Sequence, residues 1–151
     1  MIEQYSAAEL IDAPVDRVWT LLSDFGNKDV VKGFCRAVRV AGSGQGAIRT
    51  FELFEDAGGG AVSERIEQFD SERYYFSYRV FDSGPLPFVD YVGSIRLSLA
   101  GPERCVIIYH AEFMPLGDFP PALGLQMTQQ NFKFLVARLR ELSSTTRHGF
   151  C

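Results

Sequence analysis

The spacing of apolar residues changes period twice along the chain. Residues 3–12, with Tyr5, Leu10 and Ile11, alternate loosely and predict a first strand. In DAPVDRVWTLLSDF, Val15, Val18, Trp19 and Leu22 recur at i, i+3, i+4 and i+7, which predicts one buried helical stripe. Pro14 suits the first turn of that helix and Asp12 is a candidate cap before it. Gly26 and Asn27 close it, and KDVVKGF predicts a second, shorter helix. After residue 34 the period becomes two. CRAVRVAG, AIRTFELFE, AVSERIEQFD, RYYFSYRVFD, YVGSIRLSLA and CVIIYHAEF read as six further strands, bounded by GSGQG, DAGGG, DSE, SGPLP and GPE. From Leu123 to Leu142 the pattern is helical again, ahead of a Ser/Thr-rich tail expected to fray from about residue 143.

Strands joined by so few residues must pair antiparallel, because parallel neighbours need a long crossover. The predicted architecture is α+β, a single domain over residues 1–151. A curved seven-stranded antiparallel sheet wraps the long C-terminal helix, and two short helices lie between strands one and two.

Alternation then sorts residues by face. Val62, Glu64 and Ile66 share a side opposite Ser63, Arg65 and Glu67, so Glu64 is a carboxylate set among apolar neighbours. Phe76, Tyr78 and Val80 point inward on the next strand; Tyr91, Gly93, Ile95, Leu97 and Leu99 do so on the one after. Cys105, Ile107, Tyr109, Ala111 and Phe113 follow on the last. The strand AIRTFELF is mixed on both faces, with Arg49, Phe51 and Leu53 on one of them. A lone buried carboxylate is costly, so Glu64 must be paired or protonated. A hairpin centred between Glu55 and Gly60 puts Arg49 opposite it or a few residues offset. Two readings stay open: an ion pair that fixes strand register, or a pair that meets a ligand.

The predicted cavity wall comprises Phe51, Leu53, Ile66, Phe76, Ile95 and Tyr109. The late helix is expected to add Met127, Asn131 and Phe134 from an arc that also holds Leu135 and Leu142, with Gln130 at its edge.

Composition narrows the function. The 151 residues include 13 Phe and 6 Tyr, which suits either a dense core or a ring-lined cavity. A net charge of −4 without a basic run argues against nucleic-acid binding. The N-terminal segment carries Glu3 and Glu9 and no continuous apolar stretch, so neither a signal peptide nor membrane insertion is expected. Three scattered cysteines, Cys35, Cys105 and Cys151, predict reduced thiols in a cytoplasmic protein. The two histidines, His110 and His148, are placed for neither a triad nor a metal site, so no metal or cofactor is expected. The outward Val106 and Ile108 are a candidate homodimer contact. GSGQGAIRT lacks the Lys-Ser/Thr of a phosphate loop and leads into a strand, so Gly42, Gly44 and Gly46 are read as hairpin glycines.

The element order, with IDAPVDRVWTLLSDF, GQGAIRTFEL, ERIEQFD and the late helix, resembles the START-like (SRPBCC) superfamily of helix-grip proteins over roughly residues 3–142. Within it the chain is similar to the polyketide cyclase/dehydrase branch, related to the birch pollen allergen family. The resemblance implies a small hydrophobic or aromatic ligand in an internal cavity. It also implies cofactor-free cyclisation, dehydration or isomerisation, with non-catalytic lipid carriage or a protein-interaction role as alternatives. Lachrymatory-factor synthases, which resemble this branch, use an arginine and a glutamate on consecutive strands and tyrosines on the two that follow. By that similarity Arg49, Glu64, Tyr78 and Tyr91 are the candidate catalytic residues.

Overall fold

The structure, a computed structural model, describes residues 2–145. Its elements run β1 (Glu3–Ile11), α1 (Val15–Ser23), β2 (Ala37–Ala41), β3 (Ile48–Glu52), β4 (Ala61–Asp70), β5 (Tyr75–Asp82), β6 (Phe88–Leu99), β7 (Cys105–Pro115) and α2 (Pro121–Thr145). A short 3₁₀ turn, Glu55–Ala57, joins β3 to β4. The seven strands form one antiparallel sheet in the order β1-β7-β6-β5-β4-β3-β2. Every ladder but one joins strands consecutive in sequence. The exception pairs β1 with β7, from Glu3 opposite Phe113 to Ile11 opposite Cys105.

The two-residue period produces the expected inner face on β4 to β7, where Ile66, Phe76, Leu97, Ile107 and Phe113 are almost fully buried. Leu99, expected inside, is 64% exposed: it is the last residue of β6, next to the turn through Gly101. Phe88 and Tyr91 both point inward although they are three residues apart. An irregularity between Val89 and Val92, with Asp90 at a φ of 54°, turns both rings to the same face.

Helix α1 buries Val15, Val18, Trp19 and Leu22, the stripe that its spacing predicts. The Trp19 indole packs against the rings of Phe69, Tyr74 and Phe76 at 5.6, 6.0 and 6.2 Å. Pro14 occupies the cap position without a side-chain hydrogen bond, and Asp12 pairs with Arg104 instead of capping. The expected second helix does not form. Residues 28–36 are a turn-rich loop in which Asn27 Oδ1 accepts from the Asp29 amide and Gly33 adopts a φ of 95°. Seven residues give too few helical hydrogen bonds to offset nucleation, and a glycine within them weakens the segment further. Val30 and Cys35 of this loop are buried all the same.

Helix α2 packs on β1 and β7 and against α1. Its buried line is Thr128, Phe132, Val136, Leu139 and Ser143, rotated from the expected arc through Met127, Phe134 and Leu142. Apolar side chains surround much of this helix, so periodicity alone did not select the line. The helix continues to Thr145, and Ser143 is 1% exposed, so the chain is ordered past the expected fraying point. His148 and Cys151 lie outside the described residues. Arg140 Nη2 donates to the Leu10 carbonyl and Arg17 Nη1 to that of Ser143, tying β1 and α1 to the helix.

Gly124 allows the close approach at the start of α2. A Cβ there would stand 2.5 Å from the Phe113 ring, which is itself stacked on Tyr91 at 5.5 Å. Gly124→Ala should therefore destabilise the protein, by up to about 2 kcal/mol in urea unfolding. The overpacking term, about 1–3 kcal/mol, exceeds the gain in helix propensity of about 1 kcal/mol. A raised midpoint would show instead that Phe113 yields freely.

Candidate functional site

Between α2, the 28–36 loop and the inner face of β3 to β7 lies a cavity of about 130 Å³. That volume holds about four waters, or a single aromatic ring. A shallower cleft of about 310 Å³ adjoins it; Phe34, Leu86, Asn131 and Phe134 border both, so the cleft is the vestibule of the cavity.

Arg49 on β3 and Glu64 on β4 are direct cross-strand partners. Nε and Nη2 of Arg49 donate to Glu64 Oε2 at 3.2 and 2.9 Å, with the side chains 12% and 5% exposed. The guanidinium carbon lies 5.2 Å from the Phe25 ring centre and 4.8 Å from that of Phe51. Both contacts fall on Oε2, and among the described residues no fully buried side-chain oxygen or nitrogen lacks a partner. Oε1 therefore lies on accessible surface, and Glu64 lines the cavity, so this oxygen is the one presented to it. Burial pushes the Glu64 carboxyl above its ordinary value, against the pull of Arg49.

The same cavity is lined by a chain of hydroxyls. Tyr109 Oη lies 2.7 Å from Tyr78 Oη and 2.7 Å from Tyr91 Oη, and Tyr91 Oη lies 3.1 Å from Thr128 Oγ1 on α2. Burial pushes the Tyr78 and Tyr109 phenols well above the ordinary value and raises Tyr91 as well. All three are therefore neutral acids able to donate, not phenolates. Gly93 makes this arrangement possible. It pairs with Tyr78 across β5 and β6, and a Cβ at Gly93 would overlap the Tyr78 ring. A glycine inside an alternating strand is a signal of such close approach, though nothing in the sequence says which ring lies over it.

Arg49, Glu64, Tyr78 and Tyr91 thus all reach one cavity, together with Phe51, Phe76, Ile95, Tyr109, Asn131 and Phe134. Leu53 and Met127 border the vestibule instead. Ile66 is fully buried and lines neither space, since it packs into the core beneath. Gln130 is exposed and lines neither, because the buried line of α2 passes through Thr128 and Phe132. Thr128, Phe132, Phe88 and Lys32 line the cavity without having been anticipated. The SGPLP loop contributes Leu86 to the mouth, whereas Leu116 and Phe119 in MPLGDFPP are exposed and line neither space. His110 sits on the outer face, 2.6 Å from Ser6 Oγ. Cys35 and Cys105 are free thiols that burial raises to about 11, too high for ready thiolate chemistry. Among the described residues no cluster of His, Cys, Asp and Glu is grouped as a metal site requires, and no helix is long and apolar enough to cross a membrane.

A cavity gripped between a curved antiparallel sheet and a C-terminal helix defines the helix-grip class. The chain belongs to the polyketide cyclase / dehydrase and lipid transport family, which it matches over residues 4–143. In structure it is similar to the protein XoxI of Bacillus cereus, at TM-score 0.81 and 15% identity over 96% of this chain and 98% of that one. The Zhui aromatase/cyclase of a Streptomyces species matches at TM-score 0.80 and 16% identity over 95% and 94% of the two chains. Norcoclaurine synthase of Thalictrum flavum, solved with dopamine and hydroxybenzaldehyde, matches at TM-score 0.77 and 18% identity over 94% and 86%. At these identities the likeness is one of fold.

The site generates two predictions. Arg49→Met should cost about 3–5 kcal/mol in urea unfolding, because it strands the Glu64 carboxylate, whereas Arg49→Met combined with Glu64→Leu should recover most of that loss. Equal losses in the two variants would mean that the pair does not behave as buried. In alkaline titration, tyrosinate absorbance from Tyr78, Tyr91 and Tyr109 should rise only as the protein unfolds. The folded state holds their protons above about pH 10, where unfolded phenols lose theirs, so stability should be level below that pH and fall above it. Ionisation of all six tyrosines near pH 10 with the fold intact would contradict the buried chain.

Proposed function

We propose that the protein binds a small hydrophobic or aromatic metabolite in the cavity and catalyses a cofactor-free cyclisation, dehydration or isomerisation. The observation that carries this reading is the unbonded Oε1 of Glu64 facing the same small space as the Tyr78 phenol. A carboxylate removed from water is a stronger base than one in water, and a phenol with a raised pKa is a neutral hydrogen-bond donor. In such a step Glu64 Oε1 takes a proton from carbon next to a substrate carbonyl. The electron pair moves onto the carbonyl oxygen, and Tyr78, supported by Tyr109 and Tyr91, donates to the developing enolate. Isomerisation returns the proton to another carbon. Dehydration delivers it to a departing hydroxyl, which leaves as water. In cyclisation the enolate carbon attacks a second carbonyl carbon of the same substrate, whose π pair moves onto its oxygen and takes up the proton held by Glu64, giving a ring alcohol. Arg49 positions the carboxylate and favours its ionised form.

The shared fold of the Zhui aromatase/cyclase and norcoclaurine synthase supports a cyclase-like role. The family description and the apolar vestibule, with Phe34, Phe54, Leu86 and Phe134, also favour a second reading, carriage of a hydrophobic ligand without turnover. Hydrogen–deuterium exchange at the carbon between ring and carbonyl of phenylacetone, followed by NMR, separates the two. Wild-type protein should accelerate exchange, and Glu64→Gln should lower the rate by about 10²–10⁴-fold while binding persists. A carrier would give the same background rate with either protein. Native mass spectrometry of fresh protein would then be expected to show a retained hydrophobic ligand.

A further inference from the structure

The charge balance inside the cavity restricts what can enter it. Arg49 and Glu64 are the charged side chains lining the inner walls, and they neutralise each other at 2.9 Å. Lys32 also lines the space, but it is exposed at the mouth, where water screens its ammonium. Nε and Nη2 of Arg49 are committed to Glu64 Oε2, so the guanidinium charge is compensated although Nη1 keeps its own N–H donors, and Phe25 and Phe51 flank the group. The remaining polar groups toward the interior are neutral: the phenols of Tyr78, Tyr91 and Tyr109, the Thr128 hydroxyl and the Asn131 amide. Among the described residues, a ligand carboxylate would thus find no interior cation without a counter-charge, and it would share the cavity with the like-charged Glu64 Oε1. An uncharged ligand meets both kinds of partner in the one space, with Oε1 as acceptor for its hydroxyl or amide hydrogen and a phenol as donor to its carbonyl.

We propose that the cavity selects uncharged single-ring ligands bearing a hydroxyl, amide or carbonyl over carboxylates of the same shape, and that Glu64 is the residue that sets this choice. This rests on the ligand-binding reading above but not on turnover. It applies equally to a carrier, whose cargo would then have a neutral head and not be a free fatty acid.

Benzamide and benzoate differ by an amide nitrogen in place of a charged oxygen, so they isolate charge at constant shape. By isothermal titration calorimetry near neutral pH, wild-type protein should bind benzamide at least about tenfold tighter than benzoate, since a like-charge pair in a low-dielectric space costs more than one such factor. Glu64→Gln leaves Arg49 unneutralised and should shift the ratio toward benzoate by at least about tenfold. Combining Glu64→Gln with Arg49→Met should remove that gain. Benzoate binding wild type as tightly as benzamide would overturn the proposal, as would an unchanged ratio in Glu64→Gln. If that variant does not fold, the wild-type comparison decides. Failure of both probes to bind wild type at millimolar concentration would instead overturn the ligand-binding reading, and this inference with it.

Discussion

Seven strands at about 4.8 Å spacing make a sheet roughly 29 Å across, whereas one helix with its side chains is only about 10 Å wide. A single α2 cannot cover such a face if the face is flat. Curvature brings the far strands toward the helix, and α1 covers part of the rest with Trp19 set against Phe69 and Phe76. What neither helix reaches is left open, and the 28–36 loop closes it on one side. The cavity is thus the remainder of a covering problem, and its position is fixed by where α2 rests on β1 and β7. Gly124 sets that resting depth, and Gly93 sets how far the Tyr78 ring sinks toward the sheet.

The two polar features of the cavity obey the same limit. On walls largely shielded from bulk water, a polar group must be bonded or turned to the open space. Arg49 and Glu64 meet this requirement as a pair, and the three phenols and Thr128 meet it as a chain. Both also leave bonding capacity directed inward, at Glu64 Oε1 and at the hydroxyls. A merely structural pair would serve register equally well with both carboxylate oxygens engaged.

Much of the sheet was legible because alternation is a local signal, repeated over eight to twelve residues in β4 to β7. The Arg49–Glu64 pairing followed from counting back from the turn, and the register places them directly opposite. Other features depended on signals that lie outside local sequence. Phe88 escaped notice because the irregularity at Asp90 breaks the two-residue period. Thr128 escaped notice because the apolar residues of α2 spread around the helix, and its buried line was chosen by Phe113 and the sheet below. KDVVKGF was expected to form a second short helix. Tertiary contact holds it as a loop instead, with Val30 and Val31 against the cavity while Arg138 Nε on α2 donates to the Asp29 carbonyl.

The β1–β7 ladder has a kinetic meaning. Each of the other ladders closes a loop of modest length, so the meander can zip from hairpin to hairpin. Joining Glu3 to Phe113 closes a loop of about a hundred residues, and its entropy must be met before any contact is gained. Of the seven strands, the one synthesised first therefore has the partner that is synthesised last. Until β7 emerges, β1 has no hydrogen-bonding neighbour in the sheet. Its burial pattern suits that wait: Glu3, Gln4, Ser6 and Glu9 are interspersed along the strand, so a nascent chain carries an edge studded with polar side chains rather than an apolar ribbon ready to pair with the wrong partner.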